Sequence, residues 1–132
     1  MTIIESTIEL DLPVAKVYLF LEDLNNHKQL MPENIYNWSS TTDEASFTIQ
    51  NMAKLSIKIS SKTPNSEIVA IPTEKPPFDV ELKWTLTPNE NGGTTAKHMI
   101  SADLNMMMKM LASGPLQKLV DYQTQKLKEV LV

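Results

Sequence analysis

From Phe78 to Thr87 the chain alternates without a fault, Phe78, Val80, Leu82, Trp84 and Leu86 against Asp79, Glu81, Lys83, Thr85 and Thr87. A period of two places one face of a strand on a core and the other in water. The run closes at Pro88-Asn89-Glu90-Asn91-Gly92-Gly93, a turn sequence, and a return strand is predicted from Thr94 to Leu104. After Leu104 the period changes to about 3.6, and Leu116, Leu119, Val120, Gln123, Leu127, Val130 and Leu131 fall on one helical face. A sheet with one apolar face followed by an amphipathic helix has a ready way to bury both, by closing one on the other.

The rest of the chain supplies more strands and two short helices. Ile4, Ile8 and Leu10 alternate with Glu5, Thr7 and Glu9, which predicts an opening strand. Asp11 is placed to cap a helix with Pro13 in its first turn and Val14, Val17, Tyr18, Leu21 and Leu24 along one side. Asn25 and Asn26 break it, and a second helical turn from His27 to Met31 stops at Pro32. Strands are predicted at Ile35–Ser40, around Ala45, Phe47 and Ile49, around Leu55, Ile57 and Ile59, and from Ser66 to Pro72. Near the end, Gly114-Pro115 is expected to separate a helical piece at Met106–Ala112 from the longer piece beyond; one continuous kinked helix is the alternative. The order β-α-α-β-β-β-β-β-β-α describes an α+β fold, a curved antiparallel sheet of about six or seven strands wrapped around a long C-terminal helix. The length of 132 residues suits a single domain over 1–132.

Composition narrows the function. A net charge of -4 disfavours nucleic acid, which demands a concentrated basic surface. The absence of cysteine removes disulfides, thiolate nucleophiles and cysteine metal sites. Two histidines without H-x-x-x-H or H-E-x-x-H spacing predict no metal, and the three glycines form no phosphate loop, so no cofactor is expected. Glu5, Glu9 and Asp11 interrupt the N-terminal apolar residues and no apolar stretch reaches the roughly 20 residues of a membrane span, which leads to the expectation of a cytoplasmic protein without a signal peptide or transmembrane segment. Nothing in the sequence sets an oligomeric state.

The opening strand with DLPVAKVYLFLEDLNNHKQLMP after it, the hairpin around NGGTTAKHMISADL and the final helix PLQKLVDYQTQKLKEVL together resemble the START-like superfamily, also called SRPBCC, over nearly the whole chain. That superfamily includes birch pollen allergen, lipid-transfer START domains and polyketide cyclase/dehydrase-like proteins, and this chain looks like a small, stand-alone bacterial member. The resemblance implies a helix-grip fold with a cavity between sheet and helix for apolar or amphipathic molecules, and no shared active-site motif.

His98 shares its strand face with Ala96, Ile100, Ala102 and Leu104, which points an imidazole toward the cavity. There it can serve as a general base, as a polar anchor for a ligand carbonyl or carboxylate, or as a structural residue with its own hydrogen bonds. His27 sits in a polar context between Asn26 and Lys28 and reads as a surface residue. Gln123 interrupts the apolar helix face and can meet His98 or a ligand. Trp84, Phe78, Leu82, Ile57 and Leu119 complete the expected lining, with Met106 and Met110 as flexible lining from the Met-rich helix start. Trp38 and Tyr36 read as sheet aromatics. Three functions follow: binding of a small apolar or amphipathic molecule without covalent catalysis, which leads; a polyketide cyclase-like enzyme using His98 as acid-base, which lacks an evident second donor; and a protein-interaction module with a closed cavity.

Overall fold

Residues 2–50, 53–74 and 79–131 are described by a computed structural model. The chain runs through β1 (Thr2–Leu10), α1 (Val14–Leu21), a 3-10 helix (Leu24–Leu30), β2 (Ile35–Ser40), β3 (Glu44–Ile49), β4 (Ala53–Thr63), β5 (Glu67–Pro72), β6 (Val80–Pro88), β7 (Thr94–Ala102) and α2 (Met106–Leu131). The strands form one seven-stranded sheet in the order β1-β7-β6-β5-β4-β3-β2, antiparallel at every pairing. It curls into a half barrel. Consecutive strands are neighbours except β1 and β2, which lie at opposite edges. α1 and the 3-10 helix carry the chain across that gap.

The expected alternation holds best in β7, where Thr94, Ala96, His98, Ile100 and Ala102 are buried between partly exposed neighbours. Leu104, expected inside this strand, lies past its end. In β5 the phase left open by the sequence is explained by burial of three successive residues, Ile68, Val69 and Ala70. The face of α2 that closes on the sheet is Ala112, Leu116, Leu119, Val120, Gln123, Thr124 and Leu127, and the helix packs on β1, β7 and the 3-10 helix. Two expectations about helices are corrected. α2 is continuous, with Pro115 inside it; the proline is exposed, and Leu111, whose carbonyl loses its helical donor, is 72% exposed, so water can take over that bond. Asp11 does not cap α1. Pro13 occupies the cap, with an extended backbone, and its carbonyl accepts from the Lys16 and Val17 N–H groups.

α2 also covers one sheet edge. The Gln117 amide donates to the Glu5 carbonyl of β1 at 3.0 Å, and Ser6 Oγ meets Thr124 Oγ1 at 2.8 Å. The other edge, β2, has a register shift between Tyr36 and Ser39, and Asn37 within it adopts a left-handed φ of 57°. The β6–β7 turn is held by Asn89, whose Oδ1 accepts from Asn91 N at 3.0 Å and Gly93 N at 2.8 Å. Gly93 presses against the Leu10 carbonyl, so a Cβ there would collide with backbone that cannot yield.

Gly93→Ala is therefore expected to destabilise the fold by about 1–3 kcal/mol through overpacking, and Leu127→Ala, at a fully buried position, by roughly 2–5 kcal/mol. Urea denaturation followed by circular dichroism checks both; a change below about 0.5 kcal/mol in either variant contradicts the packing described.

Candidate functional site

Between the concave face of the sheet, α2 and the 3-10 helix lies a cavity of about 70 Å³. That is room for a few water molecules, each of which needs at least ~10–15 Å³ of such space. Its walls are overwhelmingly apolar. Leu82 and Trp84 from β6, Ile57 from β4, His98 from β7, and Leu119 and Gln123 from α2 all line it. Met106 and Met110 do not. They are 81% and 80% exposed, because the buried stripe of α2 continues upward onto Ala112 and leaves the Met-rich turns facing away from the sheet. Phe78, the remaining expected lining residue, lies outside the described residues.

The sequence misplaced His27. It is 7% exposed and lines the cavity. The segment is a 3-10 helix rather than an α-helical turn, and three residues per turn put Leu24, His27 and Leu30 on one buried face. Its Nε2–H donates to the Leu21 carbonyl at 2.8 Å; a carbonyl only accepts, so the proton of the neutral ring sits on Nε2. Burial lowers its pKa against the weaker opposing effects of that hydrogen bond and the Asp23 charge.

His98 sits opposite Trp84 in the sheet register. The rings stack with centroids 4.3 Å apart and planes 2° from parallel. Burial pushes its pKa down to about 3, the proximity of His27 adds to the fall, and the neighbouring Gln123 side chain opposes it weakly. The Gln123 side chain lies near enough to His98 to act on it as a hydrogen-bonding neighbour, yet neither buried atom, His98 Nδ1 or Gln123 Oε1, completes a hydrogen bond of sound geometry. The other end of the Gln123 amide is engaged, Nε2 donating to Met31 Sδ at 3.4 Å.

Met31, Ile35 and Trp38 form a wall with two sides, one on the cavity and the other on a surface groove of about 500 Å³ that Lys28, Glu33, Asn37 and Tyr122 also border. Trp38 is fixed in this wall. Its ring stacks on Phe47 at 5.3 Å, and its Nε1–H donates to Ser40 Oγ at 3.0 Å, which in turn donates to Asn25 Oδ1 at 2.7 Å. Met31 has only the weak thioether contact to Gln123 and is the mobile member by chemistry. Among the described residues no cluster of three or more histidine or acidic side chains is arranged to hold a metal, and no helix is long and apolar enough to cross a membrane.

No family model matches the chain, and no curated protein matches it significantly. Solved structures do. The KanY protein superposes with a TM-score of 0.80 at 11% identity, covering 98% of this chain and 97% of its own. XoxI from Bacillus cereus gives 0.78 at 9% identity, covering 98% and 95%, and Aha1 from Colwellia psychrerythraea, solved as a dimer, gives 0.66 at 17%, covering 97% of each chain. The shared architecture is a curled antiparallel sheet closed by a long C-terminal helix, the helix-grip fold.

The neutral histidines set an acid limit on stability. Between pH 6.5 and about 3 the unfolded chain protonates His98 and the folded one does not, so the stabilisation present above pH 6.5 is lost as pH falls through that window. Stability should drop by about 2 kcal/mol between pH 7 and 5 from His98 alone, at ~1.4 kcal/mol per pH unit, with His27 adding to it in the same direction. His98→Gln should flatten this dependence; equal pH slopes for the two proteins in chemical denaturation would show that His98 is not held neutral.

Proposed function

We propose that the protein binds a small apolar or amphipathic molecule, without covalent catalysis, in the cavity between sheet and α2, acting as a single START-like domain in the cytoplasm. The observation that carries this reading is an almost wholly apolar enclosure in which two buried polar atoms, His98 Nδ1 and Gln123 Oε1, have no protein partner. Native proteins satisfy such atoms, and a ligand or water is what remains to do so. Apolar walls with few polar anchors are the usual makeup of a ligand pocket.

The closed volume is well below the ~300–1,000 Å³ of ordinary small-molecule sites, so binding requires the wall to move. Met31 is the residue whose displacement joins cavity and groove. The polyketide cyclase-like alternative fares worse. A ring whose pKa is held near 3 takes up no proton at neutral pH, and one of the two donors on the amide nitrogen that would polarise a carbonyl is directed at Met31.

One observation favours the interaction-module reading. Met106, Met107, Met110 and Leu111 are each more than 70% exposed on the outward side of α2, a concentration of apolar surface of the kind that marks contact sites.

Native mass spectrometry of freshly purified protein, with organic extraction of whatever it carries, tests the ligand reading first. A discrete bound mass is expected, and Leu119→Trp, which fills the cavity, should abolish it while the far-ultraviolet circular dichroism is retained. Met31→Ala should speed the uptake of an environment-sensitive hydrophobic dye several-fold. A bare polypeptide that also excludes the dye would sink the ligand reading and leave the methionine surface of α2 as the place to look for function.

A further inference from the structure

The polar end of the cavity has a handedness of donors and acceptors that restricts its occupant. A thioether sulfur only accepts hydrogen bonds, and with the Gln123 amide assigned so that Nε2 donates to Met31 Sδ at 3.4 Å, its oxygen faces the other way. Gln123 Oε1 is then an unpaired acceptor, in a residue only 4% exposed. Beside it stands the unpaired Nδ1 of His98, also 4% exposed. Among the described residues no lysine, arginine, aspartate or glutamate lines the cavity, so a charged ligand group would enter without a counter-charge.

Resting on the ligand-binding reading, we infer that the cavity selects a neutral molecule whose apolar body carries one hydroxyl, an alcohol or a phenol, over the corresponding hydrocarbon and the corresponding carboxylate. A hydroxyl has one proton to give and lone pairs to accept with. It donates to Gln123 Oε1 and accepts from His98 in the tautomer that carries its proton on Nδ1. A carboxylate has no proton for Oε1 and brings a buried charge. A hydrocarbon leaves both protein atoms orphaned, and a ketone can serve His98 alone. A site whose buried polar groups go unpaired with the wrong ligand discriminates more sharply than one that only measures shape.

The probes are 2-naphthol, naphthalene and 2-naphthoate at pH 7, followed by quenching of tryptophan fluorescence and by calorimetry. The ring system is the same in all three, so any work done in moving the Met31 wall is common to them and cancels in the comparison. 2-Naphthol is expected to bind at least about tenfold tighter than naphthalene, with 2-naphthoate no tighter than naphthalene. Gln123→Met, which keeps the length and removes the acceptor, should bring 2-naphthol down to the affinity of naphthalene without weakening naphthalene itself. Equal affinity of 2-naphthol and naphthalene for the unmodified protein would mean that His98 and Gln123 satisfy each other, and overturns the inference while the ligand reading stands. Tightest binding of 2-naphthoate overturns it equally. If none of the three binds and no bound mass is found on the purified protein, the ligand reading fails and the selectivity fails with it.

Discussion

Everything in this molecule depends on one helix being, among the described residues, the only long one available to a curled seven-stranded sheet. Val120 and Leu127 of α2 are fully buried, and the stripe they belong to is the apolar surface on which β1 and β7 rest. A single helix is about 10 Å across with its side chains, narrower than the hollow of such a sheet. α1 and the 3-10 helix fill one flank, where Leu21, Leu24 and Leu30 are almost wholly buried. What remains unfilled is the cavity. It is a geometric remainder of wrapping a sheet around too little helix, and its residues are core and lining at once.

That origin explains its chemistry. A remainder of a core inherits apolar walls, so polarity has to be inserted at particular positions. Here it arrives from three separate parts of the chain: His98 on β7, Gln123 on α2 and His27 on the 3-10 helix. The stacking of His98 on Trp84 holds the imidazole flat against the sheet, and burial keeps it uncharged. The result is polarity without net charge in an otherwise apolar hollow.

The parts of this arrangement that the sequence discloses are those carried by a single period. β7 obeys a period of two from end to end, which sets His98 among its buried residues. The stripe of α2 likewise put Leu119 and Gln123 inward. The Met-rich turns defeated the same method because Met106, Met107, Met108, Met110 and Leu111 are all apolar and define no phase of their own; only extending the downstream stripe to Ala112 shows that Met106 and Met110 point away. His27 was lost because its polar neighbours Asn26 and Lys28 suggest a surface position, whereas three residues per turn set it on the buried face with Leu24 and Leu30. The orphaned pair was beyond reach altogether, since it requires knowing that Met31, more than 90 residues from Gln123, claims one end of its amide.

The bulge at Asn37 bears on the protein's behaviour in a crowded solution. An open sheet ends in two rows of unpaired backbone groups, each a template for strand addition and, through it, for fibrous aggregation. α2 seals the β1 row with Gln117. At β2 the left-handed Asn37 and the shifted register interrupt the second row, a bulge of the kind that discourages edge-to-edge pairing. The conformational strain concentrated in one asparagine thus acts as insurance against polymerisation, and a substitution that relaxed it into a straight strand would exchange a locally easier backbone for a stickier molecule.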